Sequence, residues 1–235
     1  MFTELKQYFL GLTNIFYPHL CAVCGNVLYL NERAICLRCY ADLPRTGFHD
    51  LADNDVSRLF WGRVPVRNAT SFMVFNKDSR YRKILHELKY NQQPAVGTEM
   101  GRLFGLELRD TPFADVQLLL PVPLHPGKLR RRGYNQSELI AKGMAEILHK
   151  PVRTDLLARR IMTGTQTRKS RYQRWENVRE AFQVKLHDEI TDNHVLLVDD
   201  VITTGATMES CAEALLKIPG VTVSIASLAF TKLQP

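Results

Sequence analysis

The sequence lacks any apolar run that approaches the roughly 18 residues of a membrane-spanning helix. Its apolar beginning is interrupted by Glu4, Lys6 and Asn14, without the basic region and small-residue cleavage site of a secretion signal. Internal repeats and low-complexity tracts are also missing. These absences predict a cytoplasmic protein with no membrane span.

The composition is that of a globular protein. The chain has 235 residues, of which 45% are hydrophobic and 23% are charged. It is therefore too apolar for a disordered chain and long enough to bury a core. The length is compatible with one large domain or with one domain and a small appendage.

Four of the five cysteines lie close together in the sequence, as two Cys-x-x-Cys pairs: Cys21, Cys24, Cys36 and Cys39. Two such pairs can place four thiolates around one Zn2+. The alternatives are disulfides, which a reducing cytoplasm disfavours, and an iron–sulfur cluster. We predict a structural zinc without an open coordination position. Cys211 stands alone in an apolar helical pattern, which indicates core packing.

Positive charge is concentrated in two segments, which we interpret as loops. The chain has 31 Lys and Arg against 24 Asp and Glu, for a net charge of +7. The first basic segment, 128–132, contains Lys128, Arg130, Arg131 and Arg132. The second, 159–179, contains Arg159, Arg160, Arg168, Lys169, Arg171, Arg174 and Arg179 against Glu176. Such concentration favours an anionic partner.

Hydrophobic periodicity predicts alternating strands and helices. Strands are expected at 69–75 and within 116–124, and a helix face is formed by residues 81–88. Asn135, with Glu138 three residues later, is typical of a helix start. Residues 194–230 have the order strand, helix, strand. The pattern predicts an α/β protein with a parallel sheet flanked by helices.

The sequence also suggests a domain organisation. Residues 1–45 would form an N-terminal helix and the zinc module. Residues 46–66 show little periodicity and are interpreted as linker and irregular structure. The larger α/β domain would then cover 67–235.

The most organised stretch begins at His194 with an apolar strand, continues with Asp199 and Asp200, and ends in a Thr-Thr-Gly-Ala-Thr turn. Both carboxylates would lie at the carboxyl end of a buried parallel strand, where open α/β sheets bind ligands. The turn leads into a helix N-terminus, whose N–H groups and threonine hydroxyls can hold a phosphate. The acids would repel a phosphate but suit ribose hydroxyls or Mg2+, so the loop fits a sugar phosphate.

A simpler interpretation exists for each of these residues. Asp199 could be a helix-capping acid and the threonines could serve turn geometry. Their combination in one run favours the ligand-binding interpretation.

This run closely resembles the phosphoribosyl pyrophosphate (PRPP) signature of type I phosphoribosyltransferases. The whole chain resembles the ComF family, in which a zinc finger precedes a phosphoribosyltransferase domain. That resemblance rests on the cysteine pairs, 122–126 and 131–136, on Thr163, Gln166, Arg171, 177–178 and 181–182, and on the Asp-Asp loop. Members of that family are associated with natural competence and the use of external DNA.

The resemblance implies roles for particular residues. Asp199 and Asp200 would contact ribose hydroxyls, and the segment Thr203, Thr204, Gly205, Ala206 and Thr207 would hold the 5-phosphate. The first basic segment would be the pyrophosphate loop, with Arg130, Arg131 and Arg132 as ligands. The second would be a flexible loop, in which Arg168, Lys169 and Arg171 close over the site. Mg2+ would bridge ribose hydroxyls and pyrophosphate.

Three functions fit these residues. A transferase would move the phosphoribosyl group to an unknown acceptor; its catalytic base is unknown and could be His125, Glu138 or no residue at all. A DNA-handling protein would bind single-stranded DNA through Tyr172, Arg174 and Trp175, although the aromatic pair could equally pack against the core. A regulator would sense PRPP without turnover. The resemblance also implies protein partners from the DNA-uptake machinery, such as a helicase.

Overall fold

The computed structural model describes residues 18–29, 31–76, 78–90, 93–159 and 182–231. The strands are β1 (Ala69–Val74), β2 (Leu118–Pro121), β3 (Leu157–Arg159), β4 (Phe182–Val184), β5 (His194–Ile202) and β6 (Thr222–Phe230). The α-helices are α1 (Leu37–Ala41), α2 (Arg82–Tyr90), α3 (Pro94–Leu108), α4 (Pro126–Arg132), α5 (Gln136–Leu148) and α6 (Ala206–Leu215). In the described ranges, no helix is long and apolar enough to cross a membrane.

The main sheet is parallel and has the strand order β1-β6-β5-β2. Its central strands β5 and β6 are apolar and buried along most of their length because both faces of the sheet are covered. This arrangement confirms the predicted α/β fold with flanking helices. β3 and β4 form a separate antiparallel pair.

Successive residues of β5 pack into two different cores, as expected for a strand covered on both faces. Leu196 packs with residues of α2, α3 and α5 on one face. Leu197 packs with residues of α6 and of the 46–66 segment on the other. The carboxyl end of β5 therefore lies between two layers, where both can supply side chains to a site.

Helices α3 and α5 approach each other closely through glycines. A Cβ atom on Gly101 would lie 2.1 Å from the carbonyl oxygen of Ile140. A Cβ atom on Gly143 would lie 2.0 Å from the carbonyl oxygen of Thr98. Neither position can accept a larger residue without separating the helices, so these glycines fix the position of α5 and of its N-terminus.

The 46–66 segment has little regular secondary structure, and several of its side chains pack in the core of the sheet domain. It contains two short 3-10 helices, Phe48–Asp50 and Ser57–Leu59. Val56 and Phe60 are fully buried in the core beneath α6. The Asn54 amide donates to the carbonyl oxygen of Ala69, at a distance of 3.0 Å. The sequence missed this packing because the buried residues follow no regular period.

The cysteine module shares its core with the sheet domain. Cys21, Cys36 and Cys39 are buried in the same cluster as Phe72 and Leu85. The chain then runs beside β1, where Thr46 N donates to the Phe72 carbonyl oxygen at 3.1 Å. The boundary at residue 45 stays a prediction, but no gap in packing marks it within the described residues.

The first basic segment is a helix, not the loop that the sequence suggested. Helix α4 begins at Pro126 and ends at Arg132, where Gly133, with a φ of 80°, forms the C-cap. Both are ordinary helix start and stop signals. The basic residues of this segment favour a loop, but the helix signals at Pro126 and Gly133 describe its structure correctly. Cys211, by contrast, is fully buried in the core, as predicted.

Candidate functional site

Asp199 and Asp200 lie near the carboxyl end of β5, at the edge of the sheet where α/β proteins bind ligands. Both are half-buried. Each carboxylate is contacted by a side chain from a different helix. The site is therefore built where β5 meets the N-terminus of α5 and the last turn of α2.

Asp199 is held by donors from two directions. The Ser137 hydroxyl donates to Asp199 Oδ1 at 2.8 Å, and the Asp200 backbone N–H donates to the same oxygen at 2.8 Å. Burial and the neighbouring Asp200 carboxylate nevertheless raise the pKa of Asp199 to about 7. Its charge therefore changes near neutral pH.

Asp200 forms an ion pair with Lys89, whose Nζ lies 2.9 Å from Asp200 Oδ2. Both side chains are largely buried, with exposed fractions of 24% for Lys89 and 16% for Asp200. Lys89 reaches this position because Ile84, Leu85 and Leu88 fix the inner face of α2 in the core. The site thus contains a cation beside the acid pair.

The segment between β5 and α6 forms a small concavity lined by Asp199 and residues 201–208. Thr203, Thr204 and Thr207 are exposed there, at the start of α6. Gly205 has a φ of 78°, and a Cβ at this position would lie 3.1 Å from Phe60 Cε1. Glycine is therefore required both by the backbone conformation and by the close approach of Phe60.

Arg63 stabilises this loop through a hydrogen bond and an ion pair. Its Nη1 donates to the Thr204 carbonyl oxygen at 3.1 Å, and its Nη2 pairs with Glu209 in the first turn of α6. Two residues of the 46–66 segment therefore contact this loop. Phe60 packs against Gly205, and Arg63 bonds to Thr204 and Glu209.

A second cleft of about 250 Å³ lies beside the acid pair, lined by Lys89, Tyr90, Arg131, Arg132 and Tyr134. The Arg132 guanidinium donates to Gln136 Oε1 at 2.8 Å and lies 5.8 Å from the centre of the Tyr90 ring. Its buried Nε has no hydrogen-bond partner among the described residues. The cleft is cationic, and Arg130 is exposed but does not line it.

The two candidate bases have structural partners. His125 Nδ1 accepts from the Gly127 backbone N–H at 3.1 Å and caps α4. Glu138 pairs with Lys142 one turn along α5, at 2.6 Å. Asn135 caps α5 as predicted, and its side chain accepts from Ser137 N. A catalytic role for either candidate stays a prediction.

The four paired cysteines come together and can hold a metal ion. Their Sγ atoms all lie within 4.8 Å of one another, with 3.7 Å between Cys24 and Cys36. Sulfurs around Zn2+ at about 2.3 Å lie about 3.8 Å apart, so the spacing fits a tetrahedral site. Burial raises the pKa of the Cys36 and Cys39 thiols, whereas backbone N–H donors outweigh burial at Cys21 and lower its pKa to about 7.

Several predicted residues cannot be placed in this geometry. Residues 160–181 lie outside the described part of the chain. They include the predicted flexible-loop residues and the predicted DNA contacts: Arg168, Lys169, Arg171, Tyr172, Arg174 and Trp175. Their roles stay predictions.

Sequence reasoning missed the partners of the acid pair. Ser137 lies within a predicted helix start, next to the capping Asn135, so that start could have indicated a polar contact. Lys89 and Arg63 carry no local signal, because each reaches the site only through tertiary packing.

The chain is similar to known proteins in the region that contains this site. A family model described as "Phosphoribosyl transferase domain" matches residues 135–234, which include α5, the acid pair and the loop that follows it. The chain is 31% identical to DNA utilization protein YhgH of Escherichia coli, in an alignment that covers 60% of this chain and 63% of that protein. Together with the relatives named Competence protein F and Competence protein ComFC, these matches confirm the resemblance to the ComF family.

Two further ComF-type relatives have names that refer to competence. Competence protein F of Haemophilus influenzae is 31% identical over 57% of this chain and 61% of its own length. Competence protein ComFC of Bacillus subtilis is 30% identical over 43% of this chain and 38% of its own length. The chain thus matches less than two thirds of these relatives' length.

Among solved structures, the glutamine PRPP amidotransferase of Bacillus subtilis is 20% identical, with a TM-score of 0.41. The match covers 59% of this chain and 30% of that one.

Proposed function

We propose that this chain binds PRPP with Mg2+ at the carboxyl edge of the sheet and transfers the phosphoribosyl group to a nitrogen acceptor. The observation that carries the proposal is the adjacency of Asp199 and Asp200 to the threonine-rich loop at the start of α6, inside the matched domain. A sugar phosphate needs hydroxyl acceptors and a phosphate cradle side by side, and this edge of the sheet offers both.

Each part of PRPP has a counterpart in this arrangement. The 5-phosphate would accept hydrogen bonds from the backbone and hydroxyls of Thr203 to Thr207. The ribose hydroxyls would donate to the carboxylates of Asp199 and Asp200. The pyrophosphate would occupy the cationic cleft of Arg131, Arg132 and Lys89, where guanidinium groups suit phosphate oxygens.

The described carboxylates do not by themselves form a Mg2+ site. Within the part of the chain that the structure describes, the four cysteines are the single group of three or more potential ligands placed to share a metal. Mg2+ prefers phosphate oxygens and water with one or two carboxylates. The ion would thus arrive with PRPP, with Asp199 or Asp200 nearby, and would neutralise the departing pyrophosphate.

The proposed reaction is a nucleophilic substitution at C1 of the ribose. The lone pair of an acceptor nitrogen forms the new C1–N bond. The C1–O bond to pyrophosphate breaks, and pyrophosphate leaves with the bonding electrons. The acceptor nitrogen loses a proton to solvent or to a base. Catalysis on this surface would consist of positioning and charge neutralisation, with the cationic cleft holding the leaving group.

We propose a biological role in the uptake or utilisation of DNA. The names of the ComF-type relatives refer to DNA utilization and to competence. Deleting the coding sequence should reduce natural transformation or growth on DNA, and restoration by the wild-type chain but not by Asp200→Asn would link the role to the acid pair.

The deciding experiment is isothermal titration of the purified protein with PRPP in the presence of Mg2+. We expect micromolar binding that is lost in Asp199→Asn/Asp200→Asn. Asp53→Asn is the matched control, because this exposed aspartate pairs with Arg58, away from the site. Absence of binding by the folded wild-type protein would refute the proposal. Binding without pyrophosphate release in the presence of acceptors would leave a PRPP sensor.

We also propose that the cysteine cluster holds one Zn2+. Its support is the number, type and spacing of the ligands. Because four protein ligands leave no open position, the ion would stabilise the module and take no part in chemistry.

A further inference from the structure

Arg63 joins the irregular 46–66 segment to the threonine-rich loop between β5 and α6. Its guanidinium Nη1 donates to the Thr204 carbonyl oxygen at 3.1 Å and to the Leu59 carbonyl oxygen at 3.0 Å. Its Nη2 pairs with the Glu209 carboxylate. One side chain therefore connects its own segment, the loop and the first turn of α6.

The hydrogen bond to Thr204 fixes the direction of one peptide group. In a trans peptide, the carbonyl and the N–H that follows it point in opposite directions. Because the Thr204 carbonyl accepts from Arg63, the Gly205 N–H points away from Arg63. Gly205 lines the small concavity of the loop, and Arg63 does not. An N–H at the start of a helix is a donor for a phosphate oxygen, so Arg63 holds such a donor in a fixed orientation.

Glu209 brings a negative charge close to the proposed position of the phosphate. It lies in the first turn of α6, and helical side chains point back toward the helix N-terminus. Its side chain is 18% exposed, so water screens the charge weakly. An unpaired carboxylate there would repel a phosphate and compete with it for the helix dipole. Arg63 neutralises this carboxylate, as Lys89 neutralises Asp200.

We propose that Arg63 is a positioning residue for the 5-phosphate of PRPP, because it orients the peptide between Thr204 and Gly205 and neutralises Glu209. The inference rests on the proposed function and adds to it a residue outside the matched domain, which covers 135–234. The 46–66 segment thereby contributes to the phosphate site without contacting the ligand.

A purely structural role for Arg63 predicts a different pattern of binding. Loss of a general contact would weaken every ligand at this edge of the sheet, or none of them. A positioning role would weaken only ligands that carry the 5-phosphate. Pyrophosphate would be unaffected, because the cationic cleft of Arg131 and Arg132 is lined by other elements. Comparison of ribose 5-phosphate with pyrophosphate therefore separates the two roles.

The test is isothermal titration of the full chain with PRPP, ribose 5-phosphate and pyrophosphate, each with Mg2+. The variants are Arg63→Met, Arg63→Lys, Glu209→Gln and the double variant Arg63→Met/Glu209→Gln. Arg58→Met is the matched control, because Arg58 is an exposed arginine of the same segment and pairs with Asp53.

We expect Arg63→Met to weaken the binding of PRPP and ribose 5-phosphate about tenfold, and that of pyrophosphate by less than about twofold. Arg63→Lys should give an intermediate loss, since it keeps the charge but not the fork of donors. Adding Glu209→Gln to Arg63→Met should recover about threefold in affinity, because the unpaired carboxylate is removed. Arg58→Met should bind all three ligands like the wild-type protein.

Three results would overturn the inference and leave the proposed function standing. They are unchanged ribose 5-phosphate binding in Arg63→Met, equal losses for ribose 5-phosphate and pyrophosphate, and no recovery in the double variant. If Arg63→Met does not fold, Arg63→Lys decides, and it must show the same selective loss. Failure of the wild-type protein to bind PRPP would refute the proposed function itself, and this inference with it.

Discussion

The Nζ atom of Lys89 lies 2.9 Å from Oδ2 of Asp200, which joins the last turn of α2 to the end of β5. Mutual neutralisation makes it possible to keep both charges in a largely buried position. The pair also places a positive charge where the cationic cleft and the acid pair meet. Stability and ligand binding should both depend on it.

Removal of one partner should cost more stability than removal of both. Lys89→Met leaves a half-buried Asp200 carboxylate without its cation, and we expect the free energy of unfolding to fall by about 2 kcal/mol. The double variant Lys89→Met/Asp200→Asn should recover about half of this loss. Urea unfolding of the four proteins in the cycle gives the coupling energy. Arg58→Met, in an exposed pair with Asp53, should change stability by less than about 0.5 kcal/mol. A coupling energy near zero would contradict a structural role for the buried pair.

Asp199 should make stability depend on pH. Its pKa is about 7 in the folded protein, against about 3.9 in an unfolded chain. The native state therefore binds the proton more tightly, so this contribution to stability is complete below about pH 4 and is lost as the pH rises through 7. Asp199→Asn should lack this decrease, which unfolding curves between about pH 5 and 8 would measure.

The same titration should affect PRPP binding in the opposite sense. A carboxylate accepts from ribose hydroxyls better than a neutral carboxyl group, so affinity should rise between about pH 6 and 8. PRPP itself also titrates in this range, and the slope that remains in Asp199→Asn measures that part. Identical slopes in the two proteins would show that Asp199 does not titrate in the binding step.

Alanine substitutions at Gly205 and Gly62 should distinguish the stability lost through backbone strain from the stability lost through a steric contact. Both have positive φ values, 78° and 70°. A Cβ added at Gly205 would meet the Phe60 ring and Leu59, whereas one added at Gly62 would meet no described atom within 4 Å. Each alanine substitution should cost about 1 kcal/mol from the backbone. Gly205→Ala should cost about 1 kcal/mol more and weaken PRPP binding, because the loop must move. Calorimetric unfolding of both variants provides the comparison, and equal losses would mean that the Phe60 contact relaxes freely.

The cysteine cluster should retain about one Zn2+ per chain by elemental analysis after purification. Cys24 is exposed, so Cys24→Ser removes almost no packing, and any large loss of stability would report the loss of the metal. We expect a loss of several kcal/mol together with the loss of zinc. Cys211→Ala is the control: it opens a small buried space but should keep the metal. Full zinc content in Cys24→Ser would contradict the four-ligand site.

The sequence predicted those parts of the fold and site that depend on local pattern. Short-range signatures mark the strand that carries Asp199 and Asp200, the turn at Gly205 and the cysteine pairs. The structure places the acid pair next to the turn, and it places the four paired cysteines next to one another. The N-cap at Asn135 is confirmed for the same reason.

The other parts of the fold and the site depend on tertiary packing, or on helix start and stop signals within a basic segment. Lys89 meets Asp200 across a long stretch of chain, and nothing in the sequence near either residue indicates the pairing. Phe60 is buried without a periodic pattern around it. Helix α4 could have been predicted from Pro126 and Gly133, but its arginines suggested a loop.

The burial of Cys21, Cys36 and Cys39 in one core with Phe72 and Leu85 has a further consequence. An appendage with its own core could be exchanged between proteins or trimmed away while the sheet domain remained folded. Here the paired cysteines and the sheet are buried in the same interior, so cutting the chain near residue 45 would expose apolar surface on both fragments. The two parts therefore have to fold together, and if the cysteines hold zinc as proposed, a shortage of the metal during synthesis would destabilise the sheet as well.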